Sequence, residues 1–461
     1  MKLSVEEILK AVGGTLVSGD PKFIVQGVST DTRTLQSKNL YVPLKGPKFD
    51  GHDFLQEAMR VGAAGALVSK QGAGKKSPSE NFFVIQVSDT LKALGDLAHA
   101  WRKNFSIPLI GITGSSGKTS TKELIALCLA ERGKVLKTEG NLNNLIGLPL
   151  TLFNLSIDHK YAVIEMGMNA FGEIARLTEI AVPTVGVITN VGQAHLEGVG
   201  GILGVAKAKG ELFEGLASTA TALVNIDDPY IAAMPTPGAK LIFGKKKSAD
   251  IFCKDIRVDD EKMFVTIRDP KQETIFELPM VGEHHALNWL ACYAVCFHLG
   301  ISPLEAKSAL THYKPAKMRG EVLKLEKGIV VINDVYNANP DSMVAALQSA
   351  ALQYPRRRKI AVLGDMLELG KEASLLHQKV GKQVRESGFE ILLAFGSMSA
   401  EIQKGFAGEG GHEYIFSDID SLNQKLSSIL LPHDVVLVKG SRGSQMERVV
   451  NYALSLSLSA S

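Results

Sequence analysis

An α/β protein of three domains is what this sequence predicts, on three observations. At 461 residues the chain exceeds what one ordinary hydrophobic core organises. Short β-rich runs alternate with helix-length segments, which is the signature of βαβ units. A glycine-rich turn, Gly111-Ile-Thr-Gly-Ser-Ser-Gly-Lys-Thr119, joins a buried strand to a helix where that alternation becomes regular.

Residues 1–104 form the first, small α/β domain. It holds a short helix, Val5–Val12, and strands at Phe23–Val28, Leu40–Leu44, Ala66–Val68 and Phe82–Val87. A helical stretch, Thr90 to Lys103, leads out of it. The rhythm changes at Ile107. Apolar runs Pro108–Ile112, Val135–Lys137, Ala162–Glu165, Val185–Asn190 and Ala222–Asn225 then alternate with helices, predicting a doubly wound parallel sheet over residues 105–316. A second series begins near Gly328, with strands Ile329–Ile332, Ile360–Leu363, Ile391–Phe395 and Val435–Val438. It predicts a smaller Rossmann-like α/β domain over 317–461, joined near His312–Arg319. The repetitive tail from Leu454 to Ser461 is expected to fray.

Composition narrows the class. With 45% hydrophobic and 21% charged residues the chain reads as a packed globular protein. A net charge of +3 is near neutral for this length and argues against a nucleic-acid binder driven by bulk phosphate attraction. Four cysteines occur with no Cys-x-x-Cys pair, which suits a reducing compartment, and Cys292 and Cys296 read as packed on one helix. Glu6 and Glu7 interrupt the apolar stretch a signal peptide needs. The least charged long segment, Ile180–Leu196, is broken by Pro183, Asn190, Gly192 and Gln193 and does not read as a membrane span. The cytoplasm is the expected location.

The glycine-rich turn carries the chemistry. Gly114-Ser115-Ser116-Gly117-Lys118-Thr119 is the short form of a phosphate loop, lacking the glycine of the longer pattern at position 112. Glycines let the backbone curl around a phosphate with its N–H groups inward, and the following helix start adds a favourable field. Lys118 suits the terminal phosphates and the Thr119 hydroxyl suits Mg²⁺, so ATP or GTP binding is the expectation. Ligands of open parallel sheets sit at the carboxyl ends of strands. Glu165 and His195 fall there, and beside a phosphate loop they read as metal-associated rather than as a helix cap and a structural histidine.

These motifs resemble the muramyl (Mur) ligases, ATP-dependent amide ligases of bacterial cell-wall synthesis, and the likeness runs over nearly the whole chain. Asn190-Val-Gly-Gln-Ala-His-Leu-Glu197 is similar to the stretch with the family's metal-binding histidine, and Glu165-Met-Gly to that with its metal-binding glutamate. Gly140–Pro149, Asn333–Met343 and Leu363–Gly370 resemble the branch that adds D-alanyl-D-alanine to UDP-N-acetylmuramoyl-tripeptide. The Asp-Asn-Pro-Arg motif of the diaminopimelate-adding branch is absent.

The resemblance implies roles. Asn288 of Gly282-Glu-His-His-Ala-Leu-Asn288 would contact the adenine, Arg319 the phosphates, and Asp334 the nucleotide from the last domain's first strand. Core packing for His284, a surface linker role for Arg319 and turn formation by Asn337 and Asn339 stand as the plainer alternatives. The first domain would hold the UDP moiety through Ser29, Thr30 and Arg33 and through a loop containing Gly46 and Asp50. Asn141, Asn143, Asn144, Asn337, Asn339 and Ser342 are the further substrate-binding expectations. In related ligases the lysine matching Lys209 is carbamylated. Lys207 and Lys209, two apart on a helix, point to roughly opposite faces, so only one of them serves. The implied cofactors are ATP and Mg²⁺, with UDP-N-acetylmuramoyl-tripeptide and D-alanyl-D-alanine as substrates, and a monomer with neither nucleic acid nor membrane insertion. Another amide ligase with the same core, such as a folate polyglutamylating enzyme, and a nucleotide-binding module without ligase activity are the competing readings.

Overall fold

The computed structural model describes residues 1–70, 82–259, 262–408 and 410–458. Three larger sheets carry the chain, as the α/β expectation requires. The first has five strands in the order Thr15–Ser18, Phe83–Val87, Gly65–Ser69, Leu40–Tyr41 and Val28–Ser29, parallel except for the first pair. The expected single strand Phe23–Val28 is instead two strands, Ile24–Gln26 and Val28–Ser29, separated by Gly27 at φ 91°. The helix Val5–Val12 ends at Gly13, whose left-handed backbone closes the last turn without a Cβ to obstruct it.

Thr90–Arg102 is the helix that leads onward, and it is anchored at both ends. Its Asp89 cap accepts from the Leu91 and Lys92 N–H groups. At its far end the buried Arg102 guanidinium donates to the carbonyls of Ala181 and Ile107. Its apolar face (Leu94, Leu97, Ala98) joins one continuous core with Leu148, Leu152 and Ile180.

The central sheet has nine strands. Lys134–Lys137, His159–Glu165, Leu109–Thr113, Val185–Ile188, Thr221–Asn225, Ala239–Gly244 and Ile251–Asp259 pair in parallel in that order. Lys262–Arg268 and Glu273–Leu278 then extend it as antiparallel strands. The expected wholly parallel sheet thus gains an antiparallel ribbon, whose alternation buries Met263, Val265, Ile267, Phe276 and Leu278 against the helix Glu283–His298. Helices cover both faces, so the central strands are buried on both sides and read as continuous apolar runs.

Six strands form the last sheet: Glu321–Lys324, Val330–Asp334, Val435–Lys439, Lys359–Gly364, Ile391–Phe395 and His412–Phe416. All pairs are parallel except the first. At its base Arg358 makes a double ion-paired contact with the buried Asp434. The tail expected to fray is helical through Leu458, within the helix Glu447–Leu458, and residues 459–461 lie outside the described residues. Among the described residues no helix is long and apolar enough to cross a membrane.

Candidate active site

The buried strand Leu109–Thr113 delivers the chain to a tight loop, and the helix Lys118–Ala130 starts immediately after it. Gly114 at φ 150° and Gly117 at φ 78° make this turn. A Cβ at Gly114 would lie 1.9 Å from Thr189 Oγ1, and one at Gly117 2.2 Å from Asn288 Oδ1. Both positions therefore demand glycine by backbone and by space. The end of the neighbouring strand clamps the loop. The Asn190 amide accepts from Ser116 N–H at 2.9 Å and donates to the Ser116 carbonyl at 3.0 Å. Ser115 Oγ accepts from Gly192 N–H at 2.8 Å and donates to its carbonyl at 3.0 Å. These bonds, with Ser115 N–H donating to the Asn190 carbonyl at 3.0 Å, occupy the Ser115 and Ser116 N–H groups and hold the loop in one shape.

Lys118 Nζ lies 2.6 Å from the Gly114 carbonyl at the loop's centre. Burial lowers its pKa, and Glu165 partly opposes that shift. Glu165 ends the strand His159–Glu165 and is only 2% exposed. Its two carboxylate oxygens accept from Thr119 Oγ1 and from the Asn143 amide, both at 2.9 Å. Among the described residues no cation pairs with it. A buried carboxylate whose hydrogen bonds come from neutral groups, with a hydroxyl beside it, is a hard oxygen donor set that suits Mg²⁺.

Lys209 is 1% exposed, whereas Lys207 is exposed with its ammonium 5.5 Å from the Phe171 ring centre. The inward lysine is thus Lys209. Burial first, and the Lys118 charge second, push its pKa well below the ordinary lysine value. His195 stands in left-handed backbone at φ 57°, its Nδ1 2.6 Å from Glu368 Oε2. Burial lowers its pKa despite the opposing carboxylate.

The opposite wall comes from the last part of the chain. A cavity of about 1280 Å³ separates it from the phosphate loop. Arg319 lies over the Tyr336 ring at 3.9 Å, and Tyr336 N–H donates to the Met318 carbonyl, so the linker is pinned to a strand end. Asp334 pairs at 2.5 Å with Lys439, which is 3% exposed and also donates to the Asn337 carbonyl. His284 and His285 stack at 3.9 Å, and burial drives His284 down to about 4. Asn288, one turn on, accepts from Thr121 Oγ1 at 3.4 Å.

Most of the expected site residues converge here. Ser115 through Thr119, Glu165 and His195 line the cavity on the central side, with Asn141, Asn143 and Asn144 beside them. Asn288 lines it beside the phosphate loop, and Arg319, Asp334, Asn337, Asn339 and Ser342 line it from the last part of the chain. Asn339 and Ser342 already serve each other: Asn339 Oδ1 accepts from Ser342 N–H and Ser342 Oγ from Asn339 N–H, a capping box on the helix Pro340–Gln353. The Asn339 amide also approaches the Ser115 carbonyl at 3.4 Å. Only Asn337 of these three keeps its side chain exposed and without a hydrogen bond among the described residues.

The first sheet's residues lie apart from this cavity. Ser29 Oγ donates to the Asp31 carbonyl at 2.8 Å, with Thr30 between them, and the exposed Arg33 pairs with Asp31 at 2.6 Å. Gly46 and Asp50 belong to a loop closed by the Lys45–Asp50 bridge, where Asp50 accepts from His52. Sequence reasoning missed Asn190 as the loop's clamp, Tyr336 under Arg319, and Lys439 against Asp334. Tyr336 stands inside the Asn333–Met343 stretch, and Lys439 ends a strand, where a charged residue after an apolar run is the available signal.

Known proteins resemble this chain in sequence and in fold. The model of the Mur ligase middle domain matches residues 112–296, that of the Mur ligase family catalytic domain 24–102, and that of the Mur ligase glutamate ligase domain 318–442. The UDP-N-acetylmuramoyl-tripeptide--D-alanyl-D-alanine ligase of Bacillus subtilis is 35% identical, with 100% of both chains covered. That of Escherichia coli K12 is also 35% identical, covering 98% of each. A crystal structure of MurF from Acinetobacter baumannii superposes with a TM-score of 0.91 at 28% identity, covering 99% of each chain. MurF from Thermotoga maritima in complex with ADP gives 0.84 at 28% identity over 95% of this chain and 99% of that one. The family models together with relatives that match from end to end show that this chain belongs to the Mur ligase family.

Proposed function

We propose that this chain joins D-alanyl-D-alanine to UDP-N-acetylmuramoyl-tripeptide, with ATP as the energy source and ADP and phosphate as by-products. The observation that carries this reading is the facing of Lys118, Thr119 and Glu165 by Arg319 and Asp334 across one cavity. That arrangement suits phosphoryl transfer onto a carboxylate. The tripeptide carboxylate oxygen bonds to the γ-phosphorus as the bond to the ADP oxygen breaks, giving an acyl phosphate. The dipeptide amine then attacks the acyl carbon and loses a proton, and phosphate leaves as the amide forms.

The protein's part is mainly electrostatic. Lys118 and the start of the helix Lys118–Ala130 neutralise charge on the phosphoryl in flight, and Arg319 adds a second cation from the other wall. Mg²⁺, held by Thr119, Glu165 and His195, would supply further neutralisation of the phosphate oxygens when bound. Asn288 is assigned to the adenine and Asp334 to the nucleotide. Residues 1–104, with Ser29, Thr30, Arg33, Gly46 and Asp50, hold the UDP end, 105–316 the ATP, and 317–461 the dipeptide, where Asn337 has a free amide. The cytoplasm fits a reaction that consumes ATP.

Amine choice tests the assignment. With ATP, Mg²⁺ and UDP-N-acetylmuramoyl-tripeptide supplied, ADP release is compared for D-Ala-D-Ala, D-Ala, L-Lys, diaminopimelate and L-Glu. D-Ala-D-Ala is expected to exceed each single amino acid by about 10⁴, the discrimination of a site built to pair an internal amide. Equal turnover with any single amino acid would assign the chain to another branch of the family.

A further inference from the structure

The Leu363–Gly370 stretch has no part in the chemistry above, yet it reaches the site. It leaves the strand Lys359–Gly364, and its Glu368 adopts left-handed backbone at φ 63°. From there Glu368 grips the central part of the chain twice. Its carboxylate meets His195 Nδ1 at 2.6 Å, and its carbonyl accepts from Glu197 N–H at 3.2 Å. Two non-glycine residues in an uncommon conformation, Glu368 and His195, thus face each other between two sheets. Such backbone is unfavourable for a residue with a Cβ and persists where surrounding contacts impose it.

The contact decides where a proton sits. An ionised carboxylate only accepts, so the hydrogen in this bond belongs to the imidazole and stands on Nδ1. The other nitrogen, Nε2, is then left with its lone pair, the form in which histidine binds a metal. We infer that Glu368 is a positioning residue: it fixes the tautomer and orientation of His195 so that Nε2 serves the metal site. Because Glu368 belongs to the last part of the chain, that site is complete only when this part is seated on the central sheet. Asp341 marks the same seating, accepting from Gln193 N–H at 2.7 Å, two residues before His195. The inference rests on the assignment of His195 to the metal site.

The test uses the full chain with ADP, labelled with ¹⁵N-histidine, and His195→Gln to assign the signal. Long-range ¹H–¹⁵N correlation should show His195 protonated on Nδ1, and Glu368→Ala should shift it toward Nε2–H. Mn²⁺, followed by electron paramagnetic resonance, should bind about 10–100-fold more weakly to Glu368→Ala, the usual effect of removing the carboxylate behind a ligating histidine. Glu368→Gln keeps an accepting oxygen in place and should largely restore both readings. The Glu368 side chain is 57% exposed, so these variants should fold, which circular dichroism verifies. An Nε2–H tautomer in the unmodified protein, or an unchanged tautomer or Mn²⁺ affinity in Glu368→Ala, overturns the inference. Glu165→Gln and His195→Gln separate the two levels. If both weaken Mn²⁺ binding while Glu368→Ala does not, only the role of Glu368 fails; if neither does, the metal site itself is refuted, and this role with it.

Discussion

The Thr119 hydroxyl donates to the Glu165 carboxylate at 2.9 Å, tying the first turn of the phosphate-loop helix to the end of the adjacent strand. Glu165→Gln preserves the shape of this contact and removes the charge. The Mg²⁺ concentration for half-maximal ADP release should then rise about tenfold or more, with little change in thermal stability, because loss of an anionic oxygen weakens a hard cation's site. An unchanged Mg²⁺ curve would take Glu165 out of the metal site.

Among the described residues the Lys118 side chain makes one hydrogen bond, to the Gly114 carbonyl of its own loop, so its loss should leave the packing intact. Lys118→Ala should lower kcat by about 10²–10³, the cost of one preorganised contact to developing charge. Circular dichroism and a melting curve matching the unmodified protein would show that the loss is chemical. Unreduced ADP release would rule out a phosphate-loop role.

Lys209 is buried, and its surroundings favour the uncharged amine, the form that reacts with CO₂. A carbamate there would turn a cation into a carboxylate near Lys118 and His195. Lys209→Ala should be nearly inactive and should regain activity with added acetate or formate. The unmodified protein in ¹³C-bicarbonate should show a carbamate carbon resonance that the variant lacks. Full activity of Lys209→Ala, or inactivity that no short carboxylate rescues, would refute the carbamate.

Tyr336 holds Arg319 by its ring face, and the stack needs no hydroxyl. Tyr336→Phe should therefore behave as the unmodified protein. Tyr336→Leu should raise KM for ATP several-fold and lower kcat, since stacking of this kind contributes roughly 0.5–2 kcal/mol. Steady-state kinetics on the two variants separates the outcomes, and equal behaviour of Phe and Leu would show that Arg319 is placed by the linker alone.

How far the sequence carried depended on whether an interaction is local. The phosphate loop is legible because Gly114, Gly117, Lys118 and Thr119 act within one turn. The ends of the strands that bear Glu165 and Asp334 are legible because apolar runs stop there. The antiparallel ribbon at 262–278 is hard to read although Met263, Val265 and Ile267 alternate, since its short charged strands gain their apolar cover from a helix that follows later. The Asn339–Ser342 cap is a local pattern too, since the two residues stand three apart at the start of a helix. The His195–Glu368 contact joins residues 173 positions apart, so neither stretch discloses the other.

All four cysteines are buried, three of them together where Cys128 Sγ lies 3.9 Å from Cys292 Sγ and Cys292 Sγ 4.0 Å from Cys296 Sγ. Thiol reagents need access to a thiolate, so the folded protein should be almost silent to maleimides and nitroxide labels without removal of any native residue. A pair of cysteines introduced at exposed Leu203, on the helix Ile202–Glu214, and exposed Leu375, on the helix Ala373–Glu386, would then be the sites labelled. Spin–spin distances between them, with and without nucleotide, would turn the seating of the last sheet on the central one into a measurable length.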